Sequence, residues 1–174
     1  MSFDLVEALE ILERTPSVLN SLLQGLSDTW LAGNEGEGTF SPMEVIGHLI
    51  HGEKTDWVER IRIILDEGEE RTFDPYDHDG FREEVKGKHS GQLLQKFHRL
   101  RVENLRYVFD LKLDEEKLSR TGTHPELGTV TLGQLIATWA VHDISHIAQI
   151  CRAMARQYGD DVGPWRKYMN ILNR

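Results

Sequence analysis

Four stretches of the chain repeat apolar residues at three- and four-residue intervals, and each predicts an amphipathic helix. The first covers residues 4–26, with Leu5, Ala8, Leu9 and Leu12 followed by Val18, Leu19, Leu22, Leu23 and Leu26. Pro16 interrupts it, so Thr15-Pro16 is either a cap and first-turn pair restarting the helix or a kink in a continuous one. The second opens on Ser41-Pro42-Met43-Glu44, which supplies a Ser cap, Pro in the first turn and Glu three residues after the cap. It is expected to run to about Leu65 behind an apolar arc of Ile46, Leu49, Ile50, Trp57, Ile61 and Ile64, and Glu53 falls inside that arc. Ser90 caps a third helix over about 91–111, with Leu93, Leu94, Phe97, Leu100, Leu105, Val108 and Leu111 inward. The fourth, roughly 132–157, starts from the capping box Thr131-Leu132-Gly133-Gln134. A last short helix near Pro164 is expected to pack Trp165, Tyr168 and Met169.

Between these stretches the chain reads as connections. Residues 27–40 are rich in Gly, Asn and Asp, 66–89 are acidic with Gly and Pro, and 112–130 contain His124-Pro125-Glu126. Asp77-x-Asp79-Gly80 resembles part of a calcium loop, but Pro75 would stand at its first ligand position and Lys86 at its last. An EF-hand is therefore excluded, and 66–89 read as a solvated charge run. No internal repeat and no convincing alternating strand is visible. The pattern gives one domain over residues 1–174: an all-α four-helix bundle with long second and third connections and a short C-terminal helix.

Composition narrows the function. A net charge of −9 without a basic stripe argues against nucleic acid and against an anionic membrane surface. No apolar run approaches the roughly 20 residues of a bilayer span. The acidic start MSFDLVEALE lacks the pattern of a signal peptide, and the single cysteine, Cys151, fits a reducing cytoplasm. Cys151 lies off the face of the neighbouring histidines and reads as a small core residue. A small-molecule partner is expected.

Candidate chemistry concentrates in VHDISHIAQI, where His142 and His146 stand four residues apart. At that spacing two side chains share one helix face, within reach of a single ion. The face also carries Leu135, Trp139 and Ala153, so two imidazoles point toward a core. Imidazole is a common ligand for zinc, nickel, copper and iron, and a third ligand is needed from a facing helix. GHLIHGE offers His48 and His51. Spacing leaves both open; Gly52, one turn past His48, leaves room for an ion or substrate and favours His48. Among carboxylates Glu53, Asp56 and Asp143 are candidate helpers. Glu53 has an apolar helical phase, so it is either a buried general base or the partner of Arg99, Arg101 or Arg106 on the third helix. Asp143 points about 100° from His142 and either orients another group or faces solvent.

Together, SPMEVIGHLIHGE and TLGQLIATWAVHDISHIAQI resemble the DinB-like superfamily, which includes the YfiT-like metal-dependent hydrolases. The resemblance spans Leu5 to about Trp165. It implies a four-helix bundle, often a homodimer, with a divalent metal held by three histidines. One comes from the second helix in an HL context, matching His48-Leu49, and two from an HxxxH on the fourth, matching His142 and His146. Zinc and nickel are the first expectations, then iron and manganese. Some members transfer or isomerise groups with a low-molecular-weight thiol cosubstrate such as bacillithiol or mycothiol. The implied function is a metal-dependent enzyme on a small molecule, hydrolase or thiol transferase. The alternative is a non-catalytic metal- or ligand-binding stress-response protein.

Overall fold

The computed structural model describes residues 3–173. Helix α1 (Leu5–Leu23) is capped by Asp4, whose Oδ1 accepts from the Val6 and Glu7 amides at 2.8 and 3.1 Å. It runs unbroken through Pro16, and so settles the two readings of that proline in favour of one helix. A proline inside a helix leaves the carbonyl four residues earlier without its amide. Here that carbonyl belongs to Leu12, and the buried guanidinium of Arg101 donates to it at 2.8 Å. After a short α2 (Asp28–Ala32), Ser41 and Glu44 form the expected capping box at the head of α3 (Pro42–Thr55).

The single helix expected over 41–65 is divided at Asp56 (φ −116°, ψ −72°), and α4 (Trp57–Asp66) follows. The helical bonds on either side persist, from the Asp56 amide to the Gly52 carbonyl and from the Arg60 amide to the Asp56 carbonyl. The Thr55 hydroxyl donates back to the His51 carbonyl at 2.9 Å, a bond that bends helices. The result is a one-residue kink. The two other long helices are α6 (Ser90–Asp110) and α8 (Leu132–Arg156), the latter capped by Thr131 and Gln134 as expected. Helix α1 packs on α6 and α8, while α3 packs on α6 and α8, closing a four-helix ring.

The core has two apolar halves. One gathers Leu12, Trp57, Ile61, Val108, Ile136 and Trp139; the other gathers Leu19, Leu23, Ile46, Ile50, Phe97 and Ile150. In every long helix a buried polar residue separates the two halves: Thr15 in α1, Glu53 in α3, Arg101 in α6 and Asp143 in α8. Arg101 sits between the two acids, donating to Glu53 Oε1 at 3.1 and 2.8 Å and to Asp143 at 2.6 and 3.0 Å.

The connections are more structured than their composition suggests. In 66–89 a 3-10 turn (Gly68–Glu70) and helix α5 (Phe81–Val85) form, and Phe73 and Phe81 are buried. The solvated charge run is thus corrected: Phe81 pins this acidic segment on α3, and Phe73 pins it between α4 and Gly122. In 112–130 lie α7 (Glu115–Ser119) and an antiparallel hairpin of β1 (Thr121–His124) and β2 (Gly128–Thr131), with Thr121 opposite Thr131 and His124 opposite Gly128. Alternating threonines make this ribbon, and it further binds Thr72 through a parallel bridge. At the C-terminus two 3-10 turns, Gly163–Tyr168 and Asn170–Leu172, stand where a packed helix was expected. Trp165 and Tyr168 are 67% and 68% exposed, and only Leu172 of this segment is buried. No helix among the described residues is long and apolar enough to cross a membrane.

Candidate metal centre

Helix α3 directs His48, and α8 directs His142 and His146, to one half-buried point. Nε2 of His142 lies 3.0 Å from Nε2 of His48 and 3.1 Å from Nε2 of His146. Two imidazole nitrogens bound at 2.0–2.1 Å to a tetrahedral ion stand about 3.3 Å apart, so the cluster already has the dimensions of a metal site. The outer nitrogens support that orientation. His146 Nδ1 donates to Gln149 Oε1 at 2.8 Å, which leaves the lone pair on Nε2, facing the cluster. His48 Nδ1 meets the Tyr76 hydroxyl at 3.0 Å, and His142 Nδ1 is buried without a partner.

Burial, and then the neighbouring histidines, push the His48 pKa down to about 4 and that of His142 down to about 2. Burial lowers His146 too, against the opposing pull of Gln149 and Asp143. Burial thus disfavours the protonated form of all three rings, and neutral imidazole nitrogens gathered at one point are donors suited to a cation. The donor set fits a divalent ion, and three ligands leave further coordination positions for a water or a substrate.

The centre opens into a cavity of about 660 Å³, within the range of small-molecule sites. Trp57, Phe73, Val130 and Leu135 form its apolar walls, with Tyr76 and the Asp56–Arg60 pair among its polar groups. Trp57 stacks on Trp139 at 5.6 Å and sets its edge against His142 at 5.1 Å. The hairpin contributes His124 and Leu127 to the opposite wall.

The two competing ligands from GHLIHGE separate clearly. His51 stays out of the triad: it is 8% exposed, and its ring lies so close to Gly80 that a Cβ there would come within 2.2 Å. Its Nε2 is buried and unpartnered. Glu53 is 4% exposed and does not line the cavity. Its carboxylate accepts from Arg101, from Trp139 Nε1 at 3.0 Å and from Asn104 Nδ2 at 2.9 Å. Burial raises its pKa, while Arg101 acts in the opposite direction. Arg101 is therefore its partner on the third long helix. Asp143 is fully buried and orients the same guanidinium. Cys151 is a half-buried free thiol.

Sequence reasoning missed Gln149 and Tyr76. Gln149 lies three residues after His146 on the same helix, a spacing that could have identified it. Tyr76 lies in a stretch without periodicity, and only the path of the chain brings it to His48.

Comparison with solved structures shows where this architecture recurs. The chain superposes on YfiT from Bacillus subtilis, described as a probable metal-dependent hydrolase with an unusual four-helix bundle topology. The TM-score is 0.75 at 21% identity, covering 89% of this chain and 87% of that one. Comparison with curated proteins gives no match. The sequence profile of the DinB superfamily matches residues 11–150, a span that contains α3 and α6 whole, most of α1 and α8 and all three clustered histidines, and the chain belongs to that superfamily.

Proposed function

We propose that this protein is a metal-dependent enzyme acting on a small molecule, by hydrolysis or by transfer to a low-molecular-weight thiol, with His48, His142 and His146 as the metal ligands. The observation that carries this reading is the convergence of three Nε2 atoms, 3.0 and 3.1 Å apart across His142, at the wall of a cavity that a substrate can enter. A divalent ion held there supplies Lewis acidity, enough to lower the pKa of a bound water to about 7 or to favour a thiolate. The chain's own residues do the rest. Gln149 fixes the tautomer of His146, and Tyr76 holds the plane of the His48 ring. The apolar walls exclude water around a bound substrate. Glu53, behind Trp139, positions α3 against α6 and α8 instead of exchanging protons with substrate.

Elemental analysis of protein purified without chelator or affinity tag tests the metal. The expected result is about one divalent ion per chain in wild type, by the donor count of a single site, and none in His142→Ala. An occupancy unchanged by that substitution refutes the assignment. The enzyme reading then requires turnover that depends on His48, measured with thiol plus electrophile pairs and with ester and amide panels.

A further inference from the structure

We propose that Arg60 is a carboxylate anchor in the cavity, so that the compounds taken there carry one carboxylate on an apolar body. The reacting end of the substrate rests on the metal-centre reading above; the anchor does not. Arg60 is the only lysine or arginine lining the cavity among the described residues. The kink at Asp56 starts α4 so that Trp57 and Arg60, one turn apart, both face this space.

The guanidinium is oriented on two sides. Asp56 Oδ1 holds Nε at 2.6 Å, and the Phe73 ring lies beneath the guanidinium carbon, 5.2 Å from centroid. The edge formed by the two Nη atoms has no protein partner among the described residues. That edge presents two parallel donors in one plane, a geometry matched by a carboxylate. Asp56 does not preclude a second acid. Arg101 of the same chain already binds two carboxylates at once, Glu53 and Asp143, through different edges of its fork. A phosphate dianion would crowd two further negative charges beside Asp56 and Glu126, whereas a carboxylate adds one. The aromatic and aliphatic walls take the remainder of such a molecule.

The test uses 4-phenylbutyrate and 4-phenylbutanol as matched probes, titrated by calorimetry into metal-free and zinc-loaded protein. In metal-free wild type the carboxylate is expected to bind about tenfold or more tighter than the alcohol, the scale of a charge-assisted hydrogen bond. Arg60→Gln should remove that preference while leaving alcohol affinity unchanged. Arg60→Lys, which keeps the charge and loses the fork, should reduce it severalfold. Asp56→Asn should preserve or increase it, because the guanidinium gains net charge. Equal affinities in metal-free wild type, including no binding by either probe, overturn the anchor. So does a preference that survives Arg60→Gln. A preference seen only with zinc and insensitive to Arg60 would place the carboxylate on the metal, refuting the anchor and leaving the metal reading intact. An Arg60-dependent preference in a protein that binds no metal would do the reverse.

Discussion

Replacing Arg101 with methionine should be among the most damaging single changes in the bundle. Arg101 is 1% exposed and makes five hydrogen bonds: three to Glu53 and the Leu12 carbonyl, two to Asp143. Methionine retains much of the aliphatic packing against Phe97 and Trp139, so the lost term is mainly electrostatic. The Glu53 and Asp143 side chains are both 0% exposed, and without the guanidinium each becomes an uncompensated buried charge. Breaking a buried pair from one side costs about 3–5 kcal/mol. For a domain of this length that corresponds to a fall in Tm of roughly 6–20 °C. Urea unfolding in the presence of EDTA measures it, with metal linkage removed. The deficit should shrink on acidification. Carboxylates left alone in the core have raised folded pKa values, so their native state binds more protons than the unfolded chain and gains stability as pH falls. Adding Glu53→Gln and Asp143→Asn to Arg101→Met should recover part of the loss, because no buried charge remains. A loss under about 1 kcal/mol for Arg101→Met, or a loss that does not vary with pH, would refute the account of this layer.

Other outcomes follow from the centre itself. Gln149→Leu and Tyr76→Phe should each weaken metal binding about 10–100-fold while keeping its stoichiometry, as measured by competition with a chromogenic chelator. Metal-free wild type should lose stability as pH falls from about 6.5 toward about 4, in chemical unfolding followed by far-UV circular dichroism. His48, His142 and His146 have folded pKa values below their unfolded ones, so the unfolded chain takes up protons first across that window. A flat profile there would mean that the histidines are not held neutral. Gly80→Ala should destabilise the α5 segment, because the new Cβ meets the His51 ring at 2.2 Å; His51→Ala in the same chain should relieve it, and the double-mutant cycle reads the coupling.

How much of this was legible in the sequence depends on whether periodicity or path placed the residue. The four long helices, their caps at Ser41 and Thr131, and the shared face of His142 and His146 follow from local spacing alone. The choice of His48 over His51 was harder, because both flank the same arc. The structure separates them through Gly80 and Tyr76, two residues from a connection that spacing could not place. The kink at Asp56 escaped for a similar reason: the apolar arc continues across it, and only the Thr55 back-bond and the Asp56–Arg60 pair mark the bend. The hairpin was hidden because its four-residue strands alternate threonine with glycine, valine and histidine, without the apolar face that usually reveals a strand. Trp165 and Tyr168 depart in the opposite direction: large aromatic residues at helical spacing predict core, and these two lie exposed.

The polar layer and the metal centre are consecutive residues on one helix. Asp143 is fixed to Arg101, and His142 directly precedes it, so the bond that sets the rotation of α8 also aims the imidazole. Glu53 does the same for α3, five residues past His48, and its second acceptor contact is Trp139, whose ring stacks on the Trp57 ring that touches His142. An apolar core at this level would permit both helices to rotate or slide with little penalty, because leucines repack. A buried guanidinium with five directed bonds does not. The Nε2 atoms of His48 and His146 can both be held within hydrogen-bonding distance of His142 only if both helices are fixed in rotation and height. The acid in the apolar arc that sequence reasoning offered as a catalytic base lies outside the cavity, bonded to Arg101, Trp139 and Asn104 between the helices that carry the histidines.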